Sequence, residues 1–351
     1  MMTSKVIFFI VSFTVGWIMQ ALGMPAGWLL GALMTGIIWS FFIQKLIFRS
    51  ELFTVSLALV GISIGFMVVP EEVWAYRMLL PAFLLTLVLT LAGGIVLGKL
   101  FGKWSKTSGN TAFFCCLPGG ASEVIALSER YNADQRIVAA FHTARITLFV
   151  FVVPLLVGIG TNTTGIDIVE PIQSNGINMG LAGLAGLAAA LVFFLSRFIS
   201  FPGAPMFVAI IIGFSLHQLV VPNYEMPSFV MGSAQVLIGS LIGMRFDRET
   251  LRELARIGKP SAAALSLYVI MSVVLALVFF VLTSLPFYTT LLAIVPAGAA
   301  EMASTAATLE LDATVVATLQ MLRVLSLFIA LPFLIRFFAQ KPLAEKNKAA
   351  T

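Results

Sequence analysis

The stretch "LPGGASEVIALSERYNADQRIVAAFHTARITLFVFVVP", Leu117 to Pro154, places carboxylates and an arginine inside a very apolar chain. At an offset of 178 residues the chain continues with "VPAGAAEMASTAATLELDATVVATLQMLRVLSLFIALP", Val295 to Pro332. Nine of the 37 positions from Pro118 to Pro154 are identical in the second stretch, and they include Glu, Asp, Arg and Pro. Shared leucines would mean little in such a chain, but shared charges and prolines indicate an internal duplication.

The composition around these stretches belongs to a membrane protein. The chain has 351 residues, of which 60% are hydrophobic and 11% are charged, and its mean hydropathy is +1.03. Continuous apolar runs that could each cross a hydrocarbon core of about 30 Å recur throughout, which predicts an all-α polytopic fold and excludes the alternating pattern of a barrel. The net charge of +5 comes from Lys and Arg between these runs, so we expect the lipid bilayer and no direct nucleic acid as a partner.

Each half of the chain contains five apolar runs and one broken segment. The runs cover about 5–22, 26–44, 52–69, 79–98, 137–158, 178–196, 204–221, 228–244, 261–284 and 314–335. The broken segments are 107–130, interrupted at Pro118-Gly119-Gly120, and 288–310, interrupted at Pro296-Ala297-Gly298. Proline removes a helical N–H and glycine permits a turn, so each segment has two arms too short to span. We therefore divide the chain into two membrane repeats, 1–175 and 176–351.

The distribution of Lys and Arg indicates whether the broken segments cross the membrane. If each segment returns to its own side, each half has five spans and the halves face opposite ways. With a cytoplasmic N-terminus, eighteen of the 21 Lys and Arg residues then lie inside and only Arg77 lies outside. If each segment crosses, the counts become ten and nine. The positive-inside rule therefore predicts two inverted five-span repeats, each with a re-entrant hairpin, and cytoplasmic N- and C-termini.

The duplicated carboxylates have structural and functional interpretations. Asp134 and Asp312 each precede a long apolar run, which predicts helix caps, with a secondary site as the alternative. Glu123 and Glu301 lie in the first turn after each break, where a carboxylate stabilises the positive end of a half-helix. A carboxylate at membrane depth is also a candidate proton or cation site.

The duplicated arginines are the strongest functional signal. Arg145 lies 11 residues beyond the predicted cap, about 16 Å along the helix and near the bilayer centre. A charge there is costly, and an ion pair with Glu123, or of Arg323 with Glu301, would offset the cost. The pair could pin hairpin to helix, or it could contact an anionic solute. We extend the predicted substrate and coupling site to four further residues: Gly119, Gly120, His142 and Gln320.

The duplicated Pro-Gly-Gly, Glu, Asp, Arg and Pro block, together with "MPAGWLLGAL" from Met24 to Leu33, resembles the AbrB family of bacterial inner-membrane proteins. The soluble DNA-binding regulator of the same name is a different protein. The resemblance covers both repeats, although the second reads Pro-Ala-Gly at its break. It implies a duplicated membrane module, and the family has been labelled both an ammonia monooxygenase and a regulator of gene expression. Neither label brings catalytic residues that can be carried over.

The sequence predicts a secondary transporter for a small anionic solute, coupled to protons or sodium, with its site at the midplane between the two hairpins. The alternative is a membrane sensor that regulates gene expression through a partner. A monooxygenase is the least favoured interpretation, because two histidines 75 residues apart form no metal-spaced cluster, so we expect no enzyme, metal or cofactor. The sequence does not identify the solute, the coupling ion or the direction of transport. It also leaves the oligomeric state open, with a homo-oligomer as one alternative.

Overall fold

The computed structural model describes residues 2–69, 74, 76–119, 121–160, 179–199, 203–221 and 228–338, without the side chains of residues 2, 122, 123, 179–182 and 228. These residues form fifteen α-helices and no strand. The helices of the first half are α1 Met2–Ala21, α2 Gly27–Phe42, α3 Ser50–Phe66, α4 Leu80–Ser105, α5 Gly109–Cys116, α6 Ala121–Arg130 and α7 Gln135–Gly160. The helices of the second half are α8 Met179–Leu195, α9 Ala204–Leu219, α10 Ser228–Arg245, α11 Arg248–Ile257, α12 Lys259–Leu282, α13 Phe287–Ile294, α14 Ala299–Thr308 and α15 Ala313–Phe338.

A helix lies at each of the ten predicted runs, but the helices differ in length. Among the described residues, five are long and apolar enough to cross a membrane, and α10 with α11, which meet at a 52° bend, would make a sixth. The helices α2, α3 and α9 have only 16 or 17 residues, or about 24–26 Å. The fold is thus an all-helical, membrane-embedded one, and the full count of ten spans stays a prediction.

Helix bounds recur between the two halves at the offset found in the sequence. The bounds of α5, α6 and α7 differ from those of α13, α14 and α15 by 178 residues at every end. The sequence placed the breaks correctly because proline and glycine interrupt both copies at matching positions.

The two halves are interleaved through glycine-lined helix contacts. A Cβ placed on Gly65 of α3 would collide with the carbonyl of Ile210 in α9, and one on Gly243 of α10 would collide with the carbonyl of Leu33 in α2. Later glycines of α3 contact later residues of α9, and later glycines of α10 contact later residues of α2. Helix α3 is therefore parallel to α9, and α2 is parallel to α10. If consecutive spans alternate in direction, this pairing requires halves of opposite direction, which supports the inverted repeat that we predict.

The broken segment of the first half is a helical hairpin whose two ends meet. Helix α5 runs back along α4, and Pro118 at the break packs against Gly94, near the middle of α4. After α6 the chain returns to the start of α5, since Asn110 Nδ2 donates to Tyr131 O at 2.7 Å. The hairpin therefore reaches about half the length of α4 and comes back, which is the geometry that a re-entrant segment needs.

Candidate functional site

A central cavity of about 250 Å³ lies where the breaks of the two hairpins face each other. Its walls come from both halves, with Gly119 and Ala121 at the first break, the segment from Pro296 to Glu301 at the second, and α3, α9 and α10 around them. The charged residues that line it are Arg145, Arg245, Glu301 and Arg323. The structure thus brings together four of the residues predicted from the sequence: Gly119, Arg145, Glu301 and Arg323.

Arg323 of α15 is anchored by the carbonyl groups at the second break. Its side chain is buried, and its guanidinium donates to Val295 O at 2.5 Å, Ala297 O at 3.0 Å and Ile294 O at 3.2 Å. These carbonyls belong to the C-terminal end of α13 and the residues after it, where no following helical turn supplies N–H partners. The arginine therefore satisfies the negative end of a broken helix.

Arg145 of α7 holds the equivalent position in the first half with a different set of partners. It donates to Leu117 O at 3.4 Å and to the hydroxyl of Tyr268 at 3.2 Å, and the Tyr268 ring lies 4.9 Å from the guanidinium carbon. Tyr268 in turn donates to Cys116 O at 3.3 Å. A tyrosine from the second half thus completes the first break, and its counterpart in the repeat is Thr90.

The predicted ion pair between Glu301 and Arg323 is wrong. Both side chains are described and buried, yet the described residues show no ion pair between them, and Arg323 donates to carbonyl oxygens. The physical reason is that the break itself supplies free carbonyls beside the arginine. The corresponding pair of Arg145 with Glu123 stays a prediction, because the Glu123 side chain lies outside the described residues, as does Gly120.

Glu301 lies in the first turn of α14, as the sequence predicts. Its carboxylate folds back over the helix start and occupies the place where a side chain on Gly298 would lie. Only glycine leaves room for it there. The negative charge therefore sits against the free N–H groups and the positive end of the α14 dipole, while it also faces the cavity.

His142 and Gln320 lie behind the arginines and do not line the cavity. His142 Nε2 is 2.9 Å from Phe114 O, while its Nδ1 is 3.0 Å from Arg145 Nη2. Since an arginine can only donate, Nδ1 accepts and Nε2 carries the proton. Gln320 uses its amide in the same way, donating to Leu292 O at 2.6 Å. His142 thus holds the C-terminal end of α5 against α7, and Gln320 holds the C-terminal end of α13 against α15.

Asp134 and Asp312 cap helices away from the cavity. Asp134 Oδ1 accepts from the Arg136 and Ile137 amides at 3.1 and 3.4 Å, and Asp312 Oδ1 accepts from the Val315 amide at 2.8 Å. These are the bonds of helix N-caps, so the cap interpretation is supported by the geometry.

Arg245, at the end of α10, is the charged residue of the cavity that the sequence did not reveal. Its guanidinium lies 5.0 Å from the ring centroid of Phe53, and both residues also line a larger cleft of about 470 Å³ outside the cavity. It is within electrostatic range of Glu301, and within the described part of the chain its guanidinium has no hydrogen bond or ion pair. In the positive-inside count, Arg245 served only to orient the chain in the membrane. Its counterpart in the first half is Met67, so the duplication gave no sign of a functional role.

The site is thus a positively charged cavity between two broken-helix hairpins in a polytopic helical membrane protein. The chain belongs to the AbrB family, whose model, described as "Transition state regulatory protein AbrB", matches residues 28–339. It is 26% identical over 327 residues to "Putative regulator AbrB" of Escherichia coli (strain K12), which covers 91% of this chain and 92% of that protein. It is also 27% identical over 283 residues to "Uncharacterized protein YhjN" of Bacillus subtilis (strain 168), covering 76% and 73%.

Potential metal ligands are scattered rather than clustered in the described ranges. Within them, no three His, Cys, Asp or Glu side chains come close enough to share an ion.

Proposed function

We propose that this protein is a secondary transporter that moves a small anionic solute through the central cavity, driven by a cation gradient. The observation that carries the proposal is the charge of the cavity, where three arginines face a single described carboxylate. Its volume of about 250 Å³ is below the 300–1,000 Å³ typical of ligand pockets, which fits a small solute such as a short-chain carboxylate. Broken helices that meet in one cavity are a recurring feature of secondary transporters.

The free donors of the cavity suggest how the anion would be held. Arg145 and Arg323 already donate to the breaks, so they supply a positive field and few free N–H groups. The guanidinium of Arg245 has no hydrogen bond or ion pair among the described residues, so it can bind a carboxylate in a bidentate manner. The N-terminus of α6, whose Ala121 lines the cavity, also favours negative charge there, whereas that of α14 is covered by the Glu301 carboxylate.

Glu301 is the proposed coupling group. In its charged state it competes with the solute for the field of Arg245. A proton or a cation that neutralises Glu301 would free Arg245 and leave the cavity strongly positive, which favours the anion. Coupling then follows, because the cation and the solute each bind better when the other is present. We place the protein in the bacterial inner membrane with both termini in the cytoplasm.

Transport by proteoliposomes tests the proposal. We expect the wild type to accumulate a radiolabelled short-chain carboxylate under an imposed proton or sodium gradient. Arg245→Gln should lower uptake at least tenfold, whereas Arg256→Gln, on the exposed face of α11, should leave uptake unchanged. Glu301→Gln should abolish gradient-driven accumulation while solute exchange stays measurable. Uptake only of cations, or full gradient-driven accumulation by Glu301→Gln, would refute the mechanism.

A membrane sensor that acts through a partner is the second candidate. The observation in its favour is the printed name of the Escherichia coli relative, which calls that protein a regulator. A sensor would bind the solute in the same cavity without moving it. Saturable binding to the purified protein with no transport in proteoliposomes would favour this function.

A further inference from the structure

Helix α14 carries a buried polar face that its counterpart α6 lacks. Ser304, Thr305 and Thr308 follow Glu301 by one or two helical turns, and Ser304 and Thr305 are fully buried. Their hydroxyls lie within about 10 Å of Glu301 along the helix. The corresponding positions of α6 are Ala126, Leu127 and Arg130. Duplication therefore does not explain the polar face, and helix propensity gives no reason to bury the hydroxyls of Ser304 and Thr305.

Gln235 of α10 faces this surface and completes a cluster of oxygen atoms. Its amide nitrogen donates to Ser304 O at 3.0 Å and to Thr308 Oγ1 at 2.7 Å, while Ser304 Oγ donates to Glu301 O at 3.1 Å. The counterpart of Gln235 in the first half is Leu57. Apart from Glu301, the side chains of this cluster are thus not found at the equivalent positions of the first half.

Two oxygens of this cluster lack a partner among the described residues. Gln235 Oε1 and Thr305 Oγ1 are buried and lack a hydrogen bond within the described part of the chain. A buried oxygen without a partner is costly, so a native protein usually gives it one. The amide nitrogen of Gln235 donates to the carbonyl of Ser304, the residue before Thr305, so the two unpaired oxygens belong to residues at, or next to, the contact between α10 and α14.

We infer that these oxygens form a sodium site, with Gln235 Oε1 and Thr305 Oγ1 as side-chain ligands beside α14. Amide and hydroxyl oxygens do not take up protons at neutral pH, but they are ligands for hard cations. Divalent ions usually recruit several carboxylates, and the cluster offers only Glu301, so a monovalent ion fits better. In other secondary transporters, backbone carbonyl oxygens beside interrupted helices coordinate sodium.

The role of this site rests on the proposed function, because sodium would be the cation that neutralises Glu301. A sodium ion beside α14 lies one or two turns from that carboxylate and places a positive charge there without a proton. The cavity would then favour an anion only when sodium is bound. Binding of the ion itself can be measured without any solute.

Sodium-dependent melting of the purified protein in lipid nanodiscs tests the site. At constant ionic strength, we expect NaCl to raise the wild-type melting temperature saturably by about 2–4 °C over KCl or N-methylglucamine chloride. Thr305→Val, which keeps the shape of the side chain, should remove this rise, and Thr305→Ser should keep it. The control is Thr86→Val, because the buried Thr86 hydroxyl already donates to carbonyls of its own helix at 2.9 and 3.0 Å.

A rise that potassium reproduces, or one that survives Thr305→Val, would overturn the site. If Thr305→Val does not fold, Gln235→Leu, which installs the residue found in the other repeat, must lose the sodium response. A sodium response that depends on Thr305 in a protein that moves no anion would leave the site standing and reject the transport function. Anion uptake driven only by protons would support the transport function and reject this role of sodium.

Discussion

Replacement of Arg323 by methionine should destabilise the protein, because the side chain then no longer donates to the carbonyls of the second break. Arg323 donates to three carbonyls at 2.5–3.2 Å. Val295 O keeps two other donors, the Ala297 amide at 2.8 Å and Gln320 Nε2 at 3.1 Å, so the carbonyls of Ile294 and Ala297 are the two left unpaired among the described residues. At about 1–3 kcal/mol for each, the expected loss is about 2–6 kcal/mol. Arg145→Met also leaves two acceptors without this donor, Leu117 O and His142 Nδ1, so its expected loss is of the same size.

Thermal unfolding in detergent, followed by fluorescence-detected size exclusion, would measure the loss. With about 2–4 °C per kcal/mol, Arg323→Met should lower the apparent melting temperature by at least about 4 °C. Arg323→Lys should recover part of the loss, because an ammonium can still donate to two carbonyls. No loss in Arg323→Met, or no recovery in Arg323→Lys, would refute the assignment of carbonyl partners.

Two further predictions concern topology and pH. A cysteine at Thr163, which lies outside the described residues, should react with an impermeant reagent from outside the cell, whereas one at Glu253 should react only after permeabilisation; external labelling at Glu253 would contradict the inverted repeat. Asp247, beyond the end of α10, is bound to Lys45 at 2.5 Å. Burial raises the pKa of Asp247, but hydrogen bonds from Lys45 and Thr250 outweigh this effect, and the pKa is lower than usual. Its stabilisation is thus present above about pH 4, the ordinary pKa of Asp, and lost as the pH falls through the lower folded pKa. Asp247→Asn should therefore lower the melting temperature at pH 7, and its difference from the wild type should shrink steadily as the pH is lowered below about 4; a difference that does not change with pH would contradict this.

The positions of the helices could be predicted because the bilayer imposes a simple rule on sequence. Apolar runs of nearly membrane length must be helical, and a proline-glycine pair must interrupt them. The runs predicted at 137–158 and 314–335 became α7 and α15 with ends within three residues. The capping roles of Asp134 and Asp312 could also be predicted, because capping depends only on neighbours in the chain.

The partners of the charges could not be predicted, because they depend on contacts between distant segments. Arg245 reaches the cavity only because α10 packs parallel to α2 and beside α3, which no local pattern encodes. Tyr268 meets Arg145 across the interface between the repeats, and its counterpart Thr90 cannot do so. Neither Arg245 nor Tyr268 is duplicated in the other half, so the duplicated charges could not reveal them.

The error in the predicted ion pair shows how the break itself balances charge. A helix interrupted at the middle of the protein creates a negative end, rich in carbonyls, and a positive end, rich in amides, within a few residues. Arg323 binds the first end and Glu301 folds over the second, so each charge is stabilised by a helix terminus and needs no opposite side chain. In the proposed mechanism, Glu301 can therefore respond to an ion or a solute without releasing the arginine that holds the hairpin. A tight ion pair would have tied the proposed coupling group to the scaffold, whereas this arrangement separates the residue proposed to change its charge from the residue that maintains the fold.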